Sequence, residues 1–292
     1  EAKIVESAKA IAMLPQFFEI ADLADRAVAV KEGEELSLGS HTLQFFMAPM
    51  VHWPEVMVEY EKSEKILFSA DGFGKFGALD ADEDWTCEAR RYYFNIVGKY
   101  GAQVQALLKK AATLDIQTIC PLHGPILKEN LGYYIGKYMT WSSYEPEDDG
   151  VLVAYASIHG NTKTAAEKMK EILEAKGAKK VAITDLSRDD MAEAIEDAFR
   201  YDKLVLAAAS YDASVFPCME TFLNKLTNKN YQNRKIAIIE NGSWAPTAAR
   251  VMKGYVEKMK KITLCEKTVT IKSAMKDADV IAMEELADEL LA

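Results

Sequence analysis

Residues 151–177, VLVAYASIHGNTKTAAEKMKEILEAKG, indicate the fold class of the second half of this 292-residue chain. A strand-length apolar run leads through a short polar turn into a segment whose apolar residues recur at helical spacing. Further apolar runs follow at 179–186, 203–210, 235–242 and 267–272. Nearly continuous apolar strands that alternate with helices predict a doubly wound parallel sheet, an α/β fold in which ligands bind at the carboxyl ends of the strands.

The turn after the first predicted strand has the composition of a phosphate-binding loop. It consists of Ser157, Ile158, His159, Gly160, Asn161 and Thr162. Gly160 permits a tight turn, the N–H groups at the helix start point toward an anion, and the two hydroxyls add donors. The loop matches neither G-x-x-x-x-G-K-[ST] nor G-x-G-x-x-G, so a phosphate monoester is favoured. The alternatives are a plain helix cap for the loop, and a solvent-facing side chain for His159.

Two more polar loops follow predicted strands and lie at the same edge of the predicted sheet. One contains Ser210, Tyr211 and Asp212, and the other contains Asn241, Gly242, Ser243, Trp244 and Ala245. An aromatic ring among small polar residues suits a flat heteroaromatic ligand, although each ring could instead pack on its own domain. With these three loops in this order, residues 150–292 resemble flavodoxin. That resemblance implies that the loops bind FMN.

The first half of the chain carries a candidate metal site. Its strands are predicted at 27–30, 42–47, 66–69 and 116–120, and its helices at 84–97 and 102–114. His52, Asp71 and His123 each follow a predicted strand and enter a Gly or Pro turn. Nitrogen and carboxylate donors without thiolate favour iron, manganese or zinc. Singly, each residue could equally be a turn or cap residue.

Taken together, the two halves resemble a flavodiiron protein. The resemblance rests on the His-Trp-Pro turn, on Ser-Ala-Asp-Gly at a strand end, and on Pro-Leu-His-Gly-Pro. It implies the C-terminal portion of an αββα metallo-β-lactamase-like domain over 1–148 and a flavodoxin-like domain over 149–292. It also implies that His52 and His123 each bind one of two non-haem irons, that Asp71 bridges the irons, and that His41 is not a ligand.

The function implied by the resemblance is electron transfer from a rubredoxin-type donor through FMN to the irons, where O2 is reduced to water or NO to N2O. A head-to-tail homodimer is implied as well. However, the family's His-x-Glu-x-Asp-His string, which supplies the remaining metal ligands, does not occur in this sequence. We therefore expect that the N-terminal part of the metal domain is missing from this chain, and that its own metal binding is partial or absent.

Two other functions stay open at this point. One is an FMN electron carrier whose front half is a metal-free dimerisation module. The other is a lactamase-type hydrolase, which would leave the flavin domain unused. The two alternatives differ in metal content and in hydrolytic activity.

Composition and charge narrow the partner classes. The net charge is −10, and no basic stripe with interleaved aromatic residues is present, which disfavours nucleic acid as a partner. No apolar run reaches membrane-spanning length, and the four cysteines form no C-x-x-C pair, so a reducing cytoplasm is expected. The segment YEPEDDG (144–150) is interpreted as the linker between the halves.

Overall fold

The chain folds as two units in this computed structural model, which describes residues 2–81 and 83–292. The first unit spans Glu1–Ser143 and the second spans Tyr144–Ala292. No helix among the described residues is long and apolar enough to cross a membrane.

The first unit contains a mixed sheet and a separate pair of parallel strands. Its strands are β1 (Ile4–Ser7), β2 (Ala27–Val30), β3 (Glu35–Ser37), β4 (Thr42–Met47), β5 (Met57–Glu61), β6 (Ile66–Phe68) and β7 (Thr118–Cys120). Its helices are α1 (Ala8–Met13), α2 (Leu23–Arg26), α3 (Trp85–Tyr92), α4 (Gly101–Ala111) and α5 (Leu131–Ser142). A π-helical segment, Tyr93–Val97, directly continues α3.

Strand direction in this sheet explains where the candidate metal ligands meet. The strand order is β3-β4-β5-β6-β7, while β1 pairs only with β2. Strand β5 is antiparallel to both β4 and β6, and β7 is parallel to β6, so β4, β6 and β7 run in one direction. Their carboxyl ends therefore lie at one edge of the sheet, and the loops that leave these ends contain His52, Asp71 and His123.

The second unit is a doubly wound parallel sheet. Its strands are β8 (Asp148–Ala156), β9 (Val181–Asp185), β10 (Tyr201–Tyr211), β11 (Ser214–Val215), β12 (Gln232–Asn241) and β13 (Lys260–Ile271). Its helices are α6 (Asn161–Ala175), α7 (Met191–Arg200), α8 (Pro217–Asn228), α9 (Ala248–Val256) and α10 (Asp277–Leu291). The main sheet has the order β13-β12-β10-β8-β9, and the short β11 pairs with β10. This is the flavodoxin order, in which the switch point lies between β8 and β10.

The core of the second unit follows directly from its apolar strands. Val151, Val153, Val205 and Ile239 on the strands are fully buried against Met169 on α6. Burial of both sheet faces is the reason for the nearly continuous apolar runs in the sequence. The predicted α/β fold class is confirmed.

The predicted linker at 144–150 is wrong in its second half, because β8 begins at Asp148. The acidic residues fit into a strand because they have partners. The Asp148 carboxylate accepts a hydrogen bond from Arg200 Nε at 2.7 Å and pairs with Lys180 Nζ at 2.8 Å. The Gly150 N–H donates to the Asp202 carboxylate at 2.8 Å.

Candidate functional site

Asp71 lies between the two predicted histidine ligands in the first unit. Its Oδ2 is 3.3 Å from His52 Nε2, and its Oδ1 is 3.6 Å from His123 Nε2. Each carboxylate oxygen therefore faces a different imidazole. All three side chains are only partly exposed, so the group is sheltered and still accessible to a small ligand.

The loop that contains Asp71 is held by short-range hydrogen bonds. The Ser69 hydroxyl donates to the Gly72 carbonyl at 2.6 Å, and the Gly72 N–H donates to the Ser69 carbonyl at 2.9 Å. The Leu122 N–H donates to the Ala70 carbonyl at 2.8 Å, which ties the His123 loop to the Asp71 loop. These bonds hold the carboxylate and the imidazole next to each other.

The tautomer of His123 is set by its surroundings. Its Nδ1 lies 2.9 Å from the Lys75 carbonyl oxygen, which can only accept a hydrogen bond. Nδ1 therefore carries a proton, and in the neutral imidazole Nε2 carries the lone pair. Nε2 is buried and has no hydrogen-bond partner within the described part of the chain. A buried nitrogen lone pair without a donor fits a metal ion, and histidine ligands commonly donate their other N–H to a backbone carbonyl in this way.

Gly74 and Tyr92 fix the position of the His123 ring. A Cβ at Gly74 would lie 2.3 Å from His123 Cε1 and 2.6 Å from Nδ1, so only glycine leaves room for the ring. The Tyr92 ring meets the imidazole edge to face, with 4.5 Å between the ring centroids. Burial, together with the nearby Asp71 charge, raises the pKa of the Tyr92 hydroxyl well above its usual range. Tyr92 is therefore neutral at ordinary pH.

Gly74, Lys75 and Tyr92 were not found from the sequence. Residues 72–77 in fact spell G-x-G-x-x-G after a strand, the pattern of a dinucleotide-binding turn. In the structure the next helix of the unit, α3, begins only at Trp85. Gly74 instead provides space for His123. The contact joins residues 49 positions apart, so no local sequence signal reveals it.

His41 lies away from this group. Its Nδ1 is 3.3 Å from the Glu61 carboxylate, which also accepts backbone N–H groups from Ser63 and Glu64. This arrangement closes the turn between β5 and β6. His41 thus lies beside the turn between β5 and β6.

The second candidate site is a cavity of about 380 Å³ at the carboxyl edge of the parallel sheet. That volume is within the usual range for small-molecule sites, ~300–1,000 Å³. The structure brings most of the predicted FMN-binding residues to its wall, namely Ser157, Ile158, His159, Asn161, Thr162, Ser210, Tyr211, Asp212, Asn241, Gly242, Ser243, Trp244 and Ala245. Gly160 lies in the same loop.

The phosphate loop is shaped by its glycine. Gly160 has φ of +91° and precedes the first residue of α6. The Ser157 hydroxyl accepts a hydrogen bond from the Gly160 N–H at 3.1 Å, which closes the loop. Thr162 is buried, whereas His159 is exposed. The first-turn N–H groups of α6 have no carbonyl partner within the helix, so they can donate to an anion.

The two predicted aromatic residues differ in exposure. Trp244 is 92% exposed and Tyr211 is 44% exposed. Both line the cavity, where a flat ring would cover them. Covering a large exposed indole with an apolar ring is favourable because the apolar surface of both partners leaves water.

Side-chain hydrogen bonds hold the loops of the cavity in place. The Ser210 hydroxyl accepts from the Thr247 N–H at 2.8 Å, and Asn241 exchanges two hydrogen bonds with the Ser273 backbone. Thr247 and Ser273 line the cavity and were missed from the sequence. Ser273 follows the last strand of the sheet. Because loops that follow parallel strands lie at the carboxyl edge where ligands bind, the sequence could have predicted Ser273 as a lining residue.

Comparison with known proteins agrees with this two-part architecture. Residues 1–124 match the ODP family beta lactamase model, and residues 152–275 match a flavodoxin domain model. An uncharacterized protein of Methanocaldococcus jannaschii is 36% identical over 171 residues, which cover 55% of this chain and 43% of that protein. The anaerobic nitric oxide reductase flavorubredoxin of Vibrio vulnificus is 26% identical over 226 residues, covering 74% of this chain and 46% of that protein. The chain spans less than half the length of these curated relatives.

Solved structures show the same fold. The rubredoxin oxygen:oxidoreductase of Desulfovibrio gigas superposes with a TM-score of 0.88 at 23% identity and covers 99% of this chain and 74% of that chain. The flavodiiron protein of Giardia intestinalis superposes with a TM-score of 0.89 at 21% identity and the same coverage. The resemblance predicted from the sequence, a metallo-β-lactamase-like domain followed by a flavodoxin-like domain, is confirmed.

Proposed function

Because this chain resembles the flavodiiron proteins in both of its domains, we propose that it is part of an oxidoreductase that passes electrons through FMN to a non-haem diiron centre. The centre reduces O2 to water, NO to N2O, or both. The electron donor is rubredoxin or a similar small protein, and the compartment is the cytoplasm. The observation that carries the proposal is the position of Asp71, with one carboxylate oxygen facing His52 and the other facing His123.

The donor set fits a shared two-metal site. Two imidazoles and one carboxylate are ligands that iron accepts, and a carboxylate with two separately directed oxygens can bridge two ions. The Nε2 of His123, which has no hydrogen-bond partner among the described residues, would supply a lone pair, and the Lys75 carbonyl holds the opposite side of the ring. His52, Asp71 and His123 are the residues that would hold the iron ions. These three side chains alone do not fill the coordination positions of two iron ions.

Side chains around the site provide a hydrogen-bond donor and a route by which a small substrate reaches Asp71. Two metal ions, when bound, supply electrons and two adjacent positions for the atoms of a diatomic substrate. Tyr92 stays protonated, so its hydroxyl remains a hydrogen-bond donor next to the metal ligands. An open hollow beside Asp71, lined by the apolar side chains of Phe17, Trp53 and Leu122, gives a small substrate a route to the carboxylate.

In the second unit, we propose that the 157–162 loop binds the FMN phosphate and that Tyr211 and Trp244 flank the isoalloxazine ring. The phosphate would be held by neutral donors, namely backbone N–H groups and hydroxyls. FMN supplies one- and two-electron transfer when bound. The loops orient the ring at the exposed edge of the sheet, where a donor protein can reach it. The family resemblance further implies that two copies act as a head-to-tail homodimer.

The test is gas consumption by the complete protein that contains this chain. After loading with FMN and ferrous iron, it is given reduced rubredoxin, and the disappearance of O2 and of NO is followed separately. We expect consumption of at least one of the gases. Consumption of neither by protein that holds both cofactors would refute the proposal. Full FMN occupancy without any iron would instead support an FMN electron carrier with a metal-free front domain.

A further inference from the structure

A small apolar cavity lies in the first unit between α4 and the mixed sheet. Its volume is about 30 Å³, more than the ~10–15 Å³ that a single water molecule requires. Its wall is made mainly of buried aliphatic and aromatic side chains, including Val58, Leu67, Val104 and Leu108. Size alone would therefore admit one small molecule.

The polar side chains at the wall of this cavity are bonded elsewhere. The Ser69 hydroxyl donates to the Gly72 carbonyl at 2.6 Å. Lys110 lines the cavity with its aliphatic stem, while its ammonium group donates to the Met47 carbonyl at 2.9 Å and pairs with Glu32. The Tyr138 hydroxyl accepts from the Phe73 N–H at 2.8 Å. A water molecule needs two to four polar partners, so a cavity with this wall favours an apolar occupant.

The position of the cavity connects it to the candidate metal site. Val51, which precedes His52, and Gly72 and Phe73, which follow Asp71, all line it. The rings of Phe73 and Tyr138 lie 4.4 Å apart between centroids. The cavity thus lies directly behind the two loops that present these candidate ligands.

We propose that this cavity binds one small, weakly polar gas molecule, as a first step, and supplies it to the metal site, as a second step. Only the second step rests on the proposed function. Diatomic gases need no hydrogen bonds, and they gain dispersion contacts in an apolar void that water leaves empty. The cavity concentrates such a molecule beside the His52 and Asp71 loops, where it is to be reduced.

Xenon under pressure is the probe for the first step, since it binds dry apolar cavities without any metal or flavin. In crystals of the protein, we expect one xenon atom in contact with Val104, Leu108 and Phe73. The substitution Ala111→Leu adds bulk at the wall and should abolish xenon binding there. Ala112→Leu adds the same atoms at the exposed neighbouring position and should leave xenon bound. If Ala111→Leu fails to fold, Val104→Ala enlarges the cavity, and xenon occupancy should rise.

An ordered water molecule in the cavity, or xenon bound only elsewhere, would overturn the proposal. The second step is tested by steady-state kinetics of the complete protein. Ala111→Leu should raise KM for the gas at least about twofold with kcat unchanged, because it removes binding and not chemistry. An unchanged KM in a variant that no longer binds xenon would refute the supply role. If the unmodified protein consumes no gas, the proposed function fails, and the xenon result still decides whether the cavity binds gas.

Discussion

Replacing Gly74 with alanine places a methyl group where the His123 ring lies. The new Cβ would be 2.3 Å from Cε1 of the ring, and ordinary contact begins at 3.4 Å, so the ring must retreat by 3.4 − 2.3 = 1.1 Å. Metal ligands must be held to within ~0.5 Å of their productive positions. The shift also breaks the hydrogen bond between Nδ1 and the Lys75 carbonyl. Loss of such a supporting bond typically lowers metal affinity about 10- to 100-fold.

The assay is an anaerobic titration of the complete protein that contains this chain, stripped of metal, with ferrous or cobaltous ion, followed by absorbance. We expect Gly74→Ala to weaken binding about 10-fold or more, and to lower the free energy of unfolding by about 1–3 kcal/mol through crowding. The matched control is Gly136→Ala on α5, where a Cβ meets nothing within 4 Å. That change should leave metal affinity intact and stabilise the helix by about 0.5–1 kcal/mol. Equal metal affinity in Gly74→Ala and the unmodified protein would refute His123 as a ligand held by this contact.

Three further changes test other parts of the molecule. Asn161→Leu removes a polar group from the proposed phosphate loop, so purified protein should retain less FMN per chain; an unchanged flavin ratio would count against the loop. Asp71→Ala should abolish gas reduction in the complete protein while FMN stays bound, and retained turnover would remove Asp71 from the metal site. Asp148→Asn should lower the free energy of unfolding by about 1 kcal/mol at pH 7. Burial raises the pKa of Asp148, but hydrogen bonds from Lys180 and Arg200 outweigh it and lower the pKa overall. The contribution of the Asp148 carboxylate to the free energy of unfolding is therefore present above the ordinary carboxyl pKa and is lost as the pH falls through the lowered value. The difference in the free energy of unfolding between Asp148→Asn and the unmodified protein should therefore be full at pH 7 and shrink as the pH is lowered below the ordinary carboxyl pKa.

The second unit was predictable because its central strands, β8, β10 and β12, are buried on both faces. The run at 203–210, for example, lies within β10 (Tyr201–Tyr211). The last strand was predicted too short, at 267–272, whereas β13 is Lys260–Ile271. β13 is an edge strand in which exposed residues are interspersed with partly or fully buried ones along the whole length, so its first half forms no continuous apolar run. Edge position, which is a property of the tertiary fold, concealed the start of this strand.

The candidate metal site was predictable only as a set of residue types. His52, Asp71 and His123 each follow a strand, and parallel direction of those strands brings them to one edge. No local sequence signal shows that the chain reverses direction through β5, between β4 and β6. Because β5 is antiparallel to both strands, β4 and β6 run in the same direction. Gly74 leaves room for the His123 ring, and the Lys75 carbonyl accepts a hydrogen bond from it. These residues lie 49 and 48 positions before His123 in the sequence. Such contacts emerge only from the packed structure.

The assignment of the metal site is tested by the iron and FMN content of the complete protein that contains this chain, measured on the unmodified form and on Asp71→Ala. We expect the unmodified protein to hold both FMN and iron, with nitrogen and oxygen ligands to the iron seen by X-ray absorption. We expect Asp71→Ala to lose the iron and keep the FMN. Iron that stays fully bound in Asp71→Ala, or an unmodified protein that holds FMN and no iron under iron-replete conditions, would contradict the assignment of His52, Asp71 and His123 as a metal site.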